Sequence, residues 1–318
     1  MKTGWRGWFR HKKAMESEKS RAVLVTGSRG FIGRAVCSLL LREGYRVLAL
    51  DRAGADEAVG AVGKEIQCNI SDAAQVRSVF DAEGIDTVVH LAAVLPTAAQ
   101  DDPRLATQVN IQGSVNLLQM ASRFGARRMI FGSSLSVYGS WPHNEQVAET
   151  HRAAPDDLYG AAKIYVERLG EAYAASNRLE FVSLRMGRVV GAGARSATSG
   201  WRSEIFERLQ TATPVELSLP FVGTERILLL HVEDVARMFL LLLRALQPSH
   251  IIYNAPCDSV TVSELKRQIE LVNPKIRVKL GDLEAVGNPR RLDSSRFESE
   301  FGFHTTPIFE QLERAAGL

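Results

Sequence analysis

The chain has 318 residues, 45% hydrophobic and 24% charged, enough to bury a sizeable core as one large α/β domain or as a domain with a smaller companion. Its formal charge of +3 is concentrated, because residues 1–21 hold seven of the 39 basic residues but only two of the 36 acidic ones; the body carries no basic excess, so nucleic acid is not an expected partner. Cys37, Cys68 and Cys257 are odd in number and lack CxxC spacing, which excludes a disulfide framework and a zinc site and suits a reducing, cytoplasmic setting without a bound metal.

The opening stretch, MKTGWRGWFRHKKAMESEKS, has aromatics interrupted by charge and no continuous apolar segment. It does not read as a signal peptide, and a disordered extension over residues 1–20 is expected. Strand-like runs then follow at 22–26 (AVLVT), 46–50 (RVLAL), 86–92 (DTVVHLA), 128–134 (RMIFGSS) and 180–185 (EFVSLR). Helical patterns fall between them near 31–43, 72–82, 104–124 and 158–177. Such alternation predicts an α/β fold, a doubly wound parallel sheet covered on both faces by helices.

Beyond about residue 190 the pattern loosens. GAGARSATSG (191–200) reads as a flexible loop, 201–210 as a helix, and RILLLHV as an apolar strand leading into a helix from Glu233. The run MFLLLLRALQ within that helix is too short to span a bilayer and is broken by Arg244, so a buried helix is expected and no membrane contact of that kind. Small helices are predicted in TVSELKRQIELV, capped by Thr261 or Ser263, and in RLDSSRFESEFGF. The expected division is a Rossmann-type nucleotide domain over 21–185 with parts of 226–256, and a smaller, discontinuous substrate subdomain over 186–225 and 257–318.

Two features point to chemistry. TGSRGFIG joins the first strand to the first helix and places Gly27, Gly30 and Gly33 at that turn. A tight turn, close approach of backbone to a pyrophosphate, and close helix-to-sheet packing require glycine at those three positions, and the helix dipole faces the phosphates. The second strand leads to Asp51, whose carboxylate can accept both ribose hydroxyls of an adenosine and would repel a 2′-phosphate, so NAD is the expected cofactor. Arg52, next in sequence, is of the type that accommodates a 2′-phosphate.

The second feature is YGAAK. Tyr159 and Lys163 stand four apart on a predicted helix and share one face, which suits either an ordinary surface pair or a catalytic one.

Nine motifs in order decide between those readings: TGSRGFIG (26–33), Asp51 at a strand end, CNISD (68–72), VVHLAA (88–93), NIQGSVNLL (110–118), SSLSVYG (133–139), YGAAK (159–163), LRMGRVVGAG (184–193) and LLHVEDVARM (229–238). From about residue 22 to near the carboxyl end the sequence resembles the extended short-chain dehydrogenase/reductases, the NAD-dependent epimerase/dehydratase family. The resemblance implies that Tyr159 is the general acid/base, that Lys163 lowers the phenol pKa from its ordinary value of about 10, and that Ser134 hydrogen-bonds the reacting oxygen, with Ser133 and Ser136 as alternatives.

It also implies that Arg29, Phe31, Ile32, Asn69, Ile70, Leu91, Ala92, Ala93 and Asn110 join the three glycines, Asp51, Arg52, Tyr159 and Lys163 around the cofactor. Ser136, Arg188, Trp201 and Arg226 are the implied substrate contacts. His90 reads as a buried, hydrogen-bonded strand residue and His231 as a structural strand residue.

Departures matter equally. Asn69 stands where the family's usual carboxylate meets adenine. Ser134, Leu135 and Ser136 replace the Thr-Asp-Glu of sugar dehydratases, so elimination of water is not expected. Arg188 replaces the asparagine that meets a nucleotide-sugar diphosphate, and Arg226 stands out of the usual register. The expected activity is therefore hydride transfer at a secondary alcohol or ketone of a sugar or nucleotide sugar, first as a nucleotide-sugar epimerase. The alternatives are an NAD-dependent dehydrogenase of a sugar acid or small hydroxy or amino metabolite, and, lower, a non-catalytic dinucleotide sensor. Relatives dimerise through helices corresponding to 104–124 and 158–177, so a homodimer is implied.

Overall fold

The computed structural model describes residues 22–54, 63–142, 145–194 and 200–318. The expected amino-terminal extension and residues 195–199 of the glycine-rich loop lie outside them.

The chain begins with β1 (Ala22–Thr26) and continues through α1 (Phe31–Arg42), β2 (Arg46–Asp51), β3 (Lys64–Gln67), α2 (Ala73–Ala82), β4 (Ile85–His90) and short helices α3 (Pro96–Asp101) and α4 (Pro103–Ala106). A π-helical segment, Thr107–Gly113, passes into α5 (Ser114–Arg123), followed by β5 (Arg128–Ser134), β6 (Gln146–Val147), α6 (Leu158–Ala175), β7 (Glu180–Met186) and β8 (Arg188–Val190). The remainder is α7 (Trp201–Arg208), β9 (Val215–Phe221), β10 (Arg226–His231), α8 (Val232–Arg244), β11 (Ile252–Asn254), β12 (Asp258–Thr261), α9 (Val262–Val272), β13 (Ile276–Leu283), β14 (Arg291–Leu292), α10 (Ser295–Phe301) and α11 (Ile308–Ala316). Among the described residues no helix is long and apolar enough to cross a membrane.

Seven strands form one sheet in the order β11-β7-β5-β4-β1-β2-β3, every pair parallel. The period-2 alternation of side chains sends Val23, Val25, Val47, Val89, Ile130 and Leu184 to one face, under α1 and α8. It sends Ala22, Leu24, Leu48, Val88, Met129 and Phe181 to the other, under α2, α5 and α6. Both faces are therefore covered, which is why these strands read as continuous apolar runs. The chain reverses direction across the sheet at β1, between β2 and β4, and that switch opens a crevice at the carboxyl ends of β1 and β4.

A second core gathers Ile205, Phe206, Leu217, Leu219, Ile227, Leu229, Val260, Ile269, Val278 and Leu312 from α7, β9, β10, β12, α9, β13 and α11. The strand RILLLHV is β10, and it joins β8 and β12 in a separate three-stranded sheet, while β11 alone of residues 226–256 adds to the main sheet. The stretch from Phe297 to Phe303 does not stay with the second core. Phe297, Phe301 and Phe303 cluster with Tyr253 against the main sheet's core.

Thr261 is the cap of α9: its hydroxyl accepts from the Glu264 amide at 3.1 Å while the Glu264 carboxylate accepts from the Thr261 amide at 2.7 Å. This reciprocal box satisfies two amides that the helix start would leave free.

A buried network fixes α6 to the sheet. Glu167, 2% exposed, accepts from Arg185 Nε at 3.0 Å and Nη2 at 2.6 Å, and from Ser183 Oγ at 2.9 Å. Arg185 Nη1 donates to Tyr138 Oη at 2.7 Å, and that hydroxyl donates to Asn254 Oδ1 at 2.8 Å on β11. The network spans β7, α6 and β11 and holds the helix that carries Tyr159 and Lys163.

Candidate active site

The turn between β1 and α1 shows why its glycines are there. Gly27 has φ +68°, and a Cβ on it would lie 2.7 Å from the Ala92 amide nitrogen. A Cβ on Gly33 would lie 2.1 Å from the Gly27 carbonyl oxygen, so α1 approaches the turn more closely than any side chain permits. No side chain caps α1, and the first-turn amides of Phe31, Ile32 and Gly33 have no partner earlier in the helix. A backbone cradle for an anion results.

At the end of β2, Asp51 Oδ2 accepts from the Arg29 amide at 3.1 Å and Oδ1 from the Ala53 amide at 3.3 Å. Arg29 also bridges to Glu65 on β3 at 2.8 Å, and the two side chains wall a recess with Asp51, Gly54, Ile66 and Gln67. Arg52 is exposed. The basic residue built into the recess is thus Arg29, and a carboxylate already holds it. No local sequence signal marks this, because Arg29 and Glu65 are 36 positions apart.

His90 ends β4, 1% exposed, and its bonding fixes its tautomer. The Thr26 hydroxyl accepts from the Leu91 and Ala92 amides at 3.2 and 3.3 Å, so its own proton goes to His90 Nδ1 at 2.7 Å. Nε2 then donates to Ser114 Oγ at 2.9 Å. Burial pushes the imidazole pKa down to about 3, so it stays neutral.

Asn110 has its amide committed to one neighbour, accepting from the Val94 amide at 2.7 Å and donating to the Val94 carbonyl at 2.9 Å. It shapes the segment containing Leu91, Ala92 and Ala93 rather than presenting its own amide to the crevice. Asn69 Oδ1 caps the Ser71 amide at 3.1 Å, next to Ile70, which packs under Gly113.

Tyr159 and Lys163 come together as the i, i+4 spacing requires. Lys163 is 3% exposed; its ammonium donates to the Gly132 carbonyl at 2.6 Å and sits 4.5 Å from the Phe131 ring centroid and 5.3 Å from that of Tyr159. Burial pushes Lys163 down to about 7, and neighbouring Glu167 works against that fall. Burial, together with Asp157, pushes the Tyr159 phenol up to about 12. Arg202 and the Ser134 hydroxyl pull it the other way. Ser134 ends β5, where its Oγ lies 3.1 Å from Ser136 Oγ and accepts from the Ser136 amide. Ser133 Oγ is buried without a partner. Ser134 is therefore the serine beside the phenol.

The residues expected at the substrate end are distributed unequally. Arg188 is buried on β8, two positions beyond Met186, which pairs with Ser134 across the sheet. Trp201 is a packing residue, buried and edge-on to Phe221 with centroids 5.9 Å apart. Arg226 is engaged elsewhere: its Nη1 donates to the Ser259 carbonyl at 2.7 Å and ties β10 to β12. His231 is half-buried against the Phe206 ring, and its buried Nδ1 has no hydrogen-bond partner. Arg202, beside Trp201 at the start of α7, is close enough to Tyr159 to affect its titration.

Comparison with known proteins places the chain by family and fold. The sequence model described as the NAD dependent epimerase/dehydratase family matches residues 23–255. A UDP-glucose 4-epimerase of Lacticaseibacillus casei is 32% identical over 174 residues, covering 54% of this chain and 52% of its own length. The chain spans about half the length of the curated epimerases it matches first. Among solved structures, the Thermus thermophilus UDP-glucose 4-epimerase complexed with NAD superposes with a TM-score of 0.80 at 26% identity, covering 93% of this chain and 98% of its own. An L-threonine dehydrogenase from Phytophthora infestans shares the fold with a TM-score of 0.84 at 24% identity, covering 94% and 98%. On the match over residues 23–255, the chain belongs to the NAD dependent epimerase/dehydratase family.

Proposed function

We propose that this protein is an NAD-dependent oxidoreductase acting at a secondary alcohol or ketone, with epimerisation of a nucleotide sugar as the first reading. The observation that carries the proposal is the convergence of Tyr159, Lys163 and Ser134 at the carboxyl ends of strands next to a backbone cradle that only glycine permits. NAD would supply the hydride acceptor and, when oxidised, a positive charge beside the phenol. Gly27, Gly30 and Gly33 with the first-turn amides would hold its pyrophosphate, Asp51 its adenosine ribose, and Lys163 its nicotinamide ribose.

Tyr159 would then carry the proton to and from the substrate oxygen, Ser134 would orient that oxygen, and Lys163 would keep the phenol's anionic form accessible. A second reading, net oxidation of a small acidic hydroxy compound, is favoured by Arg188 standing where relatives place an asparagine. Reduced nicotinamide that accumulates in step with substrate consumption marks the dehydrogenase; an equilibrium between two epimeric sugars without accumulation marks the epimerase. An absence of both overturns the proposal.

NAD should bind more tightly than NADP, because Asp51 repels a 2′-phosphate and Glu65 occupies Arg29. Asp51→Ala should narrow the gap, and calorimetry with both cofactors checks it. A native preference for NADP would contradict this part.

Affinity for NADH should also depend on pH. The ammonium of Lys163 is the form that donates to ribose hydroxyls, and its pKa is lowered to about 7. Affinity is therefore expected to fall as pH rises through and above that value and to become flat in Lys163→Met. A pH-independent wild type would contradict it.

We further infer a homodimer paired through α5 and α6, supported by Leu158 and Tyr165, each 50% exposed on α6. The free thiols Cys37, Cys68 and Cys257 suit a cytoplasmic setting.

A further inference from the structure

Two arginines in the crevice wall, Arg188 buried and Arg202 partly buried, lack the salt bridge that such positions normally carry. Arg188 is 8% exposed; it has a long contact of 3.4 Å to the Val286 carbonyl and lies 5.4 Å from the Phe221 ring centroid. Arg202 is the second residue of α7; its guanidinium lies 5.7 Å from the Trp201 ring centroid, and its buried Nε has no hydrogen-bond partner. Trp201 and Phe221 meet edge to face, so the two cations flank one aromatic pair. A neighbouring third arginine, Arg290, is neutralised by Glu225 at 2.7 Å. Among the described residues neither Arg188 nor Arg202 forms a salt bridge of its own, although Glu225, bridged to Arg290, also attracts Arg188. Burial pushes both guanidinium pKa values down; Arg202 and Arg290 add to the fall at Arg188 while Glu225 offsets part of it, and Tyr159 offsets part of the fall at Arg202. Buried like charges without an anion cost stability, and such an arrangement persists where a ligand completes it.

We propose that Arg188 and Arg202 form a subsite for a carboxylate of the substrate, placed within a few bonds of the carbon that Tyr159 serves. This rests on the oxidoreductase reading above. Position distinguishes the carboxylate from the diphosphate of a nucleotide sugar. Arg188 lies two residues beyond Met186, the strand end paired with Ser134, and Arg202 is near enough to Tyr159 to lower its phenol pKa, so the pair lies on the Ser134 and Tyr159 side of the crevice. A diphosphate joined across a sugar ring would lie a ring's width away. Two planar guanidinium forks match the two oxygens of a carboxylate, and rings against their faces orient them. The substrate class is a secondary alcohol bearing a nearby carboxylate, such as a hydroxy acid, a hydroxy amino acid or a uronic acid.

Calorimetry on the NADH-loaded protein tests this, with D-glucuronate, L-threonine and UDP as probes against wild type, Arg188→Met and Arg202→Met. At least one carboxylate should bind wild type and lose about tenfold or more in each variant, the usual scale for a charge-assisted pair, while NADH affinity stays unchanged. The ligand-free variants should melt at or above wild type, because each substitution relieves an uncompensated buried charge. Tight UDP binding with no carboxylate binding would overturn the subsite and leave the oxidoreductase reading standing. So would carboxylate binding that both variants retain, or variants that melt well below wild type. Failure of wild type to bind NADH would overturn both.

Discussion

Tyr159→Phe should lower turnover by roughly a hundredfold or more, the scale of a lost acid/base catalyst, while melting temperature and NADH affinity stay near wild type. The substitution removes one hydroxyl. It leaves the ring against Lys163, whose ammonium sits 5.3 Å from the ring centroid. Lys163→Met should damage both turnover and cofactor binding, since the lysine would serve the ribose and the phenol together. Ser134→Ala should be milder, because a water can replace one hydrogen bond to the substrate oxygen. The graded order is what separates catalysis from structure. A pair that merely held α6 would lose stability in each variant instead, and steady-state kinetics beside thermal melts distinguishes the two.

The largest stability effect is expected at Glu167. Glu167→Gln leaves the Arg185 guanidinium, 3% exposed, without an anion inside the fold. Breaking one side of a buried pair costs on the order of 3–5 kcal/mol, because the remaining charge has lost its solvent and its partner together. Arg185→Met should cost a similar amount through Glu167. The double variant Glu167→Met with Arg185→Met should cost clearly less than the sum, since no charge is then stranded. Urea unfolding of the three variants checks this, and strict additivity would contradict it. Because Glu167 also supports the charged form of Lys163, its replacement should weaken NADH binding at a pH where wild type still binds.

Much of this architecture is legible in the sequence because it is local. β1 and β5 fall at 22–26 and 128–134, where apolar runs meet turn residues, and α1 and α6 follow from helical periodicity and from Gly30 and Asp157 at their starts. The Tyr159 and Lys163 pairing needs nothing beyond 3.6 residues per turn.

What escapes local reading depends on distant partners. β3, Lys64–Gln67, is a short, mostly exposed edge strand that exists only because β2 offers it a ladder. The predicted helix over 104–124 is interrupted by a π-helical segment at Thr107–Gly113, whose Asn110 clamps Val94. β9, with Pro214 before it and Pro220 within it, is a strand because β13 pairs with it from more than sixty residues away. The same applies at the site. Arg29 is claimed by Glu65, and Arg202 meets Arg188 and Tyr159 only after α7 folds back over β8. Arg188, by contrast, is marked by its place in LRMGRVVGAG, because strand geometry alone carries it just beyond Ser134's level.

The most direct measurement of the central claim is the absorbance of reduced nicotinamide in a single turnover, with NAD-loaded wild type and Tyr159→Phe mixed with UDP-glucose, D-glucuronate and L-threonine in turn. The account predicts that at least one of these alcohols produces reduced nicotinamide in wild type, transiently or in full, and about a hundredfold or more slowly in Tyr159→Phe. Equal rates in the two proteins, or no reduced nicotinamide from wild type with any of the three, would contradict it.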